Sequence, residues 1–466
     1  MSLRSTIKKS HRTTHKTMTR KRTDTPIAGA PIAAGGFGCI FKPPIQCTSY
    51  GPTVEYDKSG ISKLLVDKHA ISEMAEIKKV LPYVKKIPNY QRYFLLDDIT
   101  TCVPGTLSTE DKRGFNRQCR TLHERGYSED NINSKRASLR LINIPYGGED
   151  IDSFWSTWKR SKSTKKVLNK AFAEVNNSLI DLLVNAIRPL NTKGYCHLDL
   201  KGQNILRRKE EDSVELRIID WGLSGAIQSK GIPQNLHNRV IQYNAPFSNI
   251  LFTTHGFPER MKKDHAALAV SPELDHGNEL GKSSATRIIA YQQYHDVVDN
   301  YGYGHLEFLQ RLFKRLFSSP AGAHVDITRQ EESYFDPVNA IVNYNANVLD
   351  KYMDSNGKFS SEKYFREVYS KNADIWGFLM AYLPIIDTKP EPWKPGTLEN
   401  AITRIICEYC FSTKYAVEPI PIDKLVQELR SLNLVVGEAK TKAKTKAKTK
   451  AKPKAKPKAK PKAKPK

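Results

Sequence analysis

The chain has 466 residues, 39% hydrophobic and 26% charged, a balance that fits a soluble globular protein with polar additions. No apolar run reaches the roughly 18 residues of a membrane span, and seven scattered cysteines, an odd number, imply no disulfide framework. The formal charge of +25 belongs to the ends: residues 1–22 hold eight Lys or Arg and residues 439–466 hold fourteen Lys, neither with an acid. Without those, 52 basic residues face 49 acidic ones, so the stretch 23–438 carries only about +3.

In chain order, residues 1–24 read as a polar basic tail without the apolar stretch of a signal peptide, which predicts an intracellular protein. Ile27–Ile40 is small, Gly-rich and broken into short apolar runs, as in a hairpin. A strand is predicted over Gly60–Val66, a helix over Asp67–Val80, and another strand over Leu139–Ile144, ended by Pro145, Gly147 and Gly148. The clearest helix runs from Leu168 to Leu190, where Leu168, Phe172, Val175, Leu179, Leu182, Ala186 and Leu190 fall on one face, with Gly194 as its stop. Two short strands follow, near Asn204–Arg208 and Val214–Ile219. Cys407 and Cys410 form a lone CxxC that reads as ordinary burial rather than a zinc or redox site. Residues 438–466 place Lys at every second position and then Pro at every fourth, which predicts an extended, disordered tail.

Chemistry concentrates between the long helix and the paired strands. His197-Leu198-Asp199-Leu200-Lys201-Gly202-Gln203-Asn204 is followed, twenty-one residues after Asp199, by Asp220-Trp221-Gly222. These resemble the catalytic and metal-binding loops of the protein kinase superfamily, HRDLxxxN and DFG, in order, spacing and strand context. Upstream, Ala33-Ala34-Gly35-Gly36-Phe37-Gly38-Cys39-Ile40 resembles the kinase Gly-rich loop, with Ala33 where the first glycine usually stands. Lys63 is the best candidate for the phosphate-binding Lys, with Lys42 as a rival, and Glu76 is preferred to Glu73 as its helix partner. Ile144-Pro145-Tyr146-Gly147-Gly148 resembles the hinge whose backbone binds adenine. Asn244-Ala245-Pro246 resembles the end of the activation segment, with Phe247 where the family has Glu, and Asp374-Ile375-Trp376-Gly377 resembles the buried helix motif DxWxxG. Gly277–Ser283 imitates a P-loop but has three residues between its glycines rather than four, and reads as a surface loop.

The resemblance implies an α+β, bilobal protein-kinase-like fold. It comprises a small, mostly β N-lobe over 25–146 and a larger, mostly α C-lobe over 147–437, with an insertion at about 248–371. It also implies ATP and Mg2+ as cofactors. Asp199 would orient the acceptor hydroxyl, Lys201 would place positive charge at the transferring phosphoryl group, and Asn204 and Asp220 would supply hard oxygen ligands to magnesium. Ala33, Gly35, Phe37, Gly38 and Ile40 would cover the nucleotide together with Lys63 and Glu76, and Pro145 and Tyr146 would meet the adenine. Lys201 is typical of serine/threonine-specific members. Leu198 stands where many kinases carry the Arg that pairs with a phosphorylated activation loop, which implies activity independent of phosphorylation there. Gly-Cys-Ile-Phe-Lys-Pro-Pro and the Lys-Pro-rich tail are similar to kinase-like proteins of large nucleocytoplasmic DNA viruses, which would place the protein in host cytoplasm, nucleus or virion. Protein substrates are the expected partners. Two other readings stay open: a pseudokinase scaffold, and a polyanion- or nucleic-acid-binding module acting through the tails, which lack interleaved aromatics to stack bases.

Overall fold

The computed structural model describes residues 31–34, 38–48, 60–211, 213–227, 231–253, 279–319, 322, 336–386 and 397–448. Residues 1–24 and 449–466 of the expected tails lie outside these, as do Gly35 and Phe37. The chain forms two compact units, one of Met1–Ala70 and Thr100–Pro145, the other of Ile71–Ile99 and Tyr146–Lys466. Ile71–Ile99, assigned to the N-lobe on sequence, therefore belongs to the second unit.

The first unit is built on an antiparallel sheet of β1 (Pro31–Ala34), β2 (Gly38–Phe41), β3 (Ile61–Val66), β4 (Thr100–Cys102) and β5 (Leu139–Ile144), in the order β1-β2-β3-β5-β4. Lys63 pairs with Ile40 on one side and Ile142 on the other, and is half-buried between fully buried Ser62 and Leu64. Ser62 ties this strand to its surroundings: its hydroxyl donates to Asn143 Oδ1 at 2.6 Å and accepts the Ile45 N–H at 3.0 Å. One face of the sheet is closed by a segment that carries no pattern in the sequence, containing the short helices Thr109–Lys112, Phe115–Gln118 and Arg120–His123. Phe115, Cys119 and Leu122 join Phe41, Leu64 and Leu141 in one core.

The expectation of no disulfide framework is corrected here. Cys39 of β2 is bonded to Cys119, and Cys47 to Cys102 of β4, across sequence separations of 80 and 55. Topology rather than local spacing brings these pairs together, so no motif announced them. Cys196, Cys407 and Cys410, all in the second unit, are free and buried, as expected for the CxxC pair.

In the second unit, Asp150 caps the helix Ile151–Arg160 by accepting the Ser153 N–H. The predicted long helix is present as Lys165–Leu182, a π-turn at Leu183–Ile187 and a last stretch to Thr192, and Gly194 ends it at φ +87°. β6 (Glu149–Asp150), β8 (Ile205–Lys209) and β9 (Val214–Ile218) form a small antiparallel sheet, and β7 (Tyr195–Cys196) pairs with β10 (Gly225–Ala226). The helix Ser370–Met380 runs through the core, buried at every position but Lys371.

The segment expected as an insertion is not an appendage. Its helices Glu279–Tyr301, Leu306–Phe317 and Pro337–Tyr352 share the unit's core through Ile289, Leu309, Phe313, Ile341 and Leu349. Glu279–Ser283 of the false P-loop is the start of the first of them rather than a surface loop. Phe247 joins this core: its ring lies 6.1 Å from Phe313, 5.2 Å from Trp376 and 5.8 Å from Phe411. The last helix, Ile422–Lys448, passes the predicted tail boundary at 438, because the repeat holds no proline before Pro453.

Candidate active site

His197–Asn204 leaves β7 and turns into β8, and its geometry is dictated by one buried carboxylate. Asp374, fully buried on the helix Ser370–Met380, accepts the N–H groups of His197 at 2.8 Å and Leu198 at 2.7 Å, with the Asn191 amide as a third donor at 2.7 Å. Leu198 adopts a left-handed φ of +63°, a conformation costing a residue with a Cβ about 1 kcal/mol or more. Its peptide is gripped from both sides, since Arg239 donates to the Leu198 carbonyl at 2.9 Å. Gly377 lets the helix approach: a Cβ there would overlap the Leu200 carbonyl oxygen. Asp374 and Gly377, in the stretch Asp-Ile-Trp-Gly, thus act as the support of the loop.

His197 is locked as well. Its Nε2 lies 3.0 Å from the Ile219 carbonyl, which can only accept, so Nε2 carries the proton and Nδ1 accepts the Asp199 N–H at 3.3 Å. Trp221 covers the imidazole with ring centres 4.7 Å apart, and Phe94 lies 5.7 Å beyond. The larger ring at the position usually held by Phe is therefore a packing element.

Asp199 is 6% exposed and its carboxylate is surrounded by donors. Oδ2 accepts Lys201 Nζ at 2.9 Å and Asn204 Nδ2 at 3.2 Å, and Oδ1 accepts Asn244 Nδ2 at 2.8 Å. Burial by itself raises this carboxyl; the Lys201 charge and hydrogen bond and the Asn244 hydrogen bond outweigh it, leaving the pKa below the ordinary range. Asn244 also donates to the Leu200 carbonyl at 3.1 Å, so it spans the loop. This role is not visible on sequence, where the stretch Asn244–Pro246 marks only the end of a segment.

Asn204 and Asp220 are brought side by side by the β8–β9 pairing, with Ile219 N–H donating to the Asn204 carbonyl at 3.0 Å. Asp220 has a left-handed φ of +68° and an exposed carboxylate that takes no hydrogen bond or ion pair among the described residues. Asn204 spends its amide nitrogen on Asp199, at 2.8 Å to the carbonyl and 3.2 Å to Oδ2. This leaves its amide oxygen as an acceptor, as the Asp220 carboxylate is left without a partner among the described residues. Two hard oxygen donors of this kind suit Mg2+, which keeps most of its shell as water and phosphate oxygens. Among the described residues no cluster of three or more His, Cys, Asp or Glu forms a preassembled metal cage.

The other predicted residues divide between the units. Gly38, Ile40 and Lys63 lie on β2 and β3, Ala33 on β1, and Pro145 just after β5. Gly38 is required there, because a Cβ would overlap the Leu64 carbonyl oxygen. Glu76 and exposed Tyr146 belong to the second unit, and Glu76 pairs with Lys79 at 2.8 Å.

No family model matches the sequence, and no curated protein matches it. Among solved structures, the chain is similar to a crystal structure of a kinase domain, at 9% sequence identity and a TM-score of 0.34, covering 86% of this chain and 93% of that one. A likeness at that score carries no weight for fold or function.

Proposed function

We propose that the protein is a serine/threonine protein kinase that transfers the γ-phosphate of ATP to a protein hydroxyl with the help of Mg2+. The observation that carries this reading is the state of Asp199: buried, held ionised, and fixed by Lys201, Asn204 and Asn244. A carboxylate offers about four acceptor sites, and three are taken, so one is left for the hydroxyl of an acceptor. A pKa below the ordinary range makes Asp199 a weak base, which suits a reaction whose loose transition state needs alignment more than early proton removal. Lys201 has two further N–H donors for the transferring phosphoryl oxygens. Asn204 and Asp220 would hold magnesium, which neutralises phosphate charge when bound. The Gly-rich segment, Lys63, Pro145 and Tyr146 are assigned to ATP by the sequence resemblance.

The strained φ values at Leu198 and Asp220 favour an enzyme over a scaffold. Left-handed non-glycine residues persist where surrounding contacts enforce them, and both fall at the positions the chemistry would use. The test is transfer of labelled phosphate from ATP and magnesium to a generic basic protein, with Asp199→Asn as control. Nucleotide stabilisation of the fold without any transfer would favour the pseudokinase instead.

A further inference from the structure

The loop between the helices Glu279–Tyr301 and Leu306–Phe317 reaches back to the candidate active site. His305 N–H donates to the Ile241 carbonyl at 2.9 Å, and His305 Nδ1 accepts the Tyr243 N–H at 3.4 Å. Gly304 has no room for a side chain, since a Cβ would overlap the Ile241 carbonyl oxygen. Tyr243 is clasped between His305, at 5.2 Å between ring centres, and Phe308 at 4.8 Å, while its carbonyl accepts Trp376 Nε1 at 2.8 Å. The residue after Tyr243 is Asn244, which holds Asp199.

Electrostatics place this wall near the reacting groups. His305 feels burial first and then the charges of Lys201 and Asp199, and Tyr243 feels burial and then Asp152 and Asp199. Because Nδ1 accepts the Tyr243 N–H, neutral His305 carries its proton on Nε2, which has no partner among the described residues. Two residues before it, Tyr303 is 70% exposed, a large aromatic left in solvent at the rim of the same loop.

We propose that His305, with Tyr303 at the rim, is a specificity-determining residue for the polypeptide acceptor. The Nε2–H and the aromatic surfaces of Tyr243 and Tyr303 receive the extended chain flanking the hydroxyl held at Asp199. The helices between Glu279 and Phe317 thereby carry the acceptor wall. This proposal rests on the kinase reading.

The experiment is steady-state phosphorylation of a basic protein acceptor by full-length His305→Ala, His305→Gln and Tyr303→Ala, with KM measured separately for acceptor and ATP. Loss of one hydrogen bond or one aromatic contact predicts an acceptor KM about five- to tenfold higher in both alanine variants, an unchanged ATP KM, and partial recovery in His305→Gln, which keeps an N–H donor. Tyr303→Ala protects the test against misfolding, since the side chain is exposed. Unchanged acceptor KM in both alanine variants overturns the proposal, and so does a parallel rise in both KM values, which would mark a structural role. Absence of transfer by the wild type sinks the kinase reading itself, and the proposal with it.

Discussion

Asp152, one residue into the helix Ile151–Arg160, shows how the site's charges are balanced. Burial and then the charge of Asp150 push its carboxyl up to about 6, against the opposing pull of Gln203 and Lys201. Unfolded, the same group titrates near its ordinary 3.8, so the native state binds the proton more tightly. Its contribution to stability is therefore fully present below that ordinary value and is lost as the pH rises through about 6. Asp152→Asn, which cannot ionise, should be more stable than wild type at neutral pH by up to about 3 kcal/mol, with the gain shrinking toward pH 4. Denaturant titrations at several pH values measure this, and parallel pH profiles for the two proteins would contradict it. Asp199 has the opposite sign: its lowered pKa contributes stability above the ordinary range that is lost on acidification. Both carboxylates feel the charge of Lys201.

At the scale of elements, the first unit depends on covalent ties. The Cys39–Cys119 bond joins β2 to the helical segment over the sheet, and Cys47–Cys102 joins the chain after β2 to β4. Closing loops of this length restricts the unfolded chain by an amount worth about 2 to 4 kcal/mol per bond. Thiol reductant, or Cys39→Ser, should then lower the unfolding midpoint of this unit ahead of the second, whose cysteines are free. A thermal scan with and without reductant that showed no difference would mean the bonds do not form in solution.

The elements also show what was legible in the sequence. β3, β5 and the long amphipathic helix were readable because their patterns are local: short runs rich in apolar residues in two cases, a 3.6-residue period in the third. The short helices between Thr109 and His123 carry too few turns to show a period. Phe247 was visible as a departure from the kinase pattern but not as a cause. It fills a core made with Phe313, Trp376 and Phe411, and so belongs with the helices packed around it. Asp199, Lys201 and Asn204 could be named because they fall in one short motif. Asn244, which donates to Asp199, and Asp374, which accepts the His197 and Leu198 N–H groups, lie 45 and about 175 residues away, and His305 sits in a segment with no motif at all. Only folding brings these to Asp199.

For the whole molecule, the near-neutral stretch 23–438 and the strongly basic ends invite a division of labour. The fourteen Lys of residues 439–466 would act as an electrostatic tether, able to gather polyanions or acidic partners without a specific contact. Removing residues 439–466 should weaken binding to heparin or single-stranded DNA, with the loss steepest at low salt, and leave phosphorylation of a short peptide intact. Loss of both together would contradict the separation.

Asp199 stands at the centre of the proposed reaction, and one comparison addresses it directly. Wild type and Asp199→Asn are incubated with labelled ATP, magnesium and a basic protein acceptor, and both are checked for folding by thermal unfolding. The kinase reading predicts incorporation by wild type and a loss of at least about a thousandfold in the variant, since the substitution removes the acceptor site for the hydroxyl while keeping its shape. Equal incorporation by the two folded proteins would contradict it.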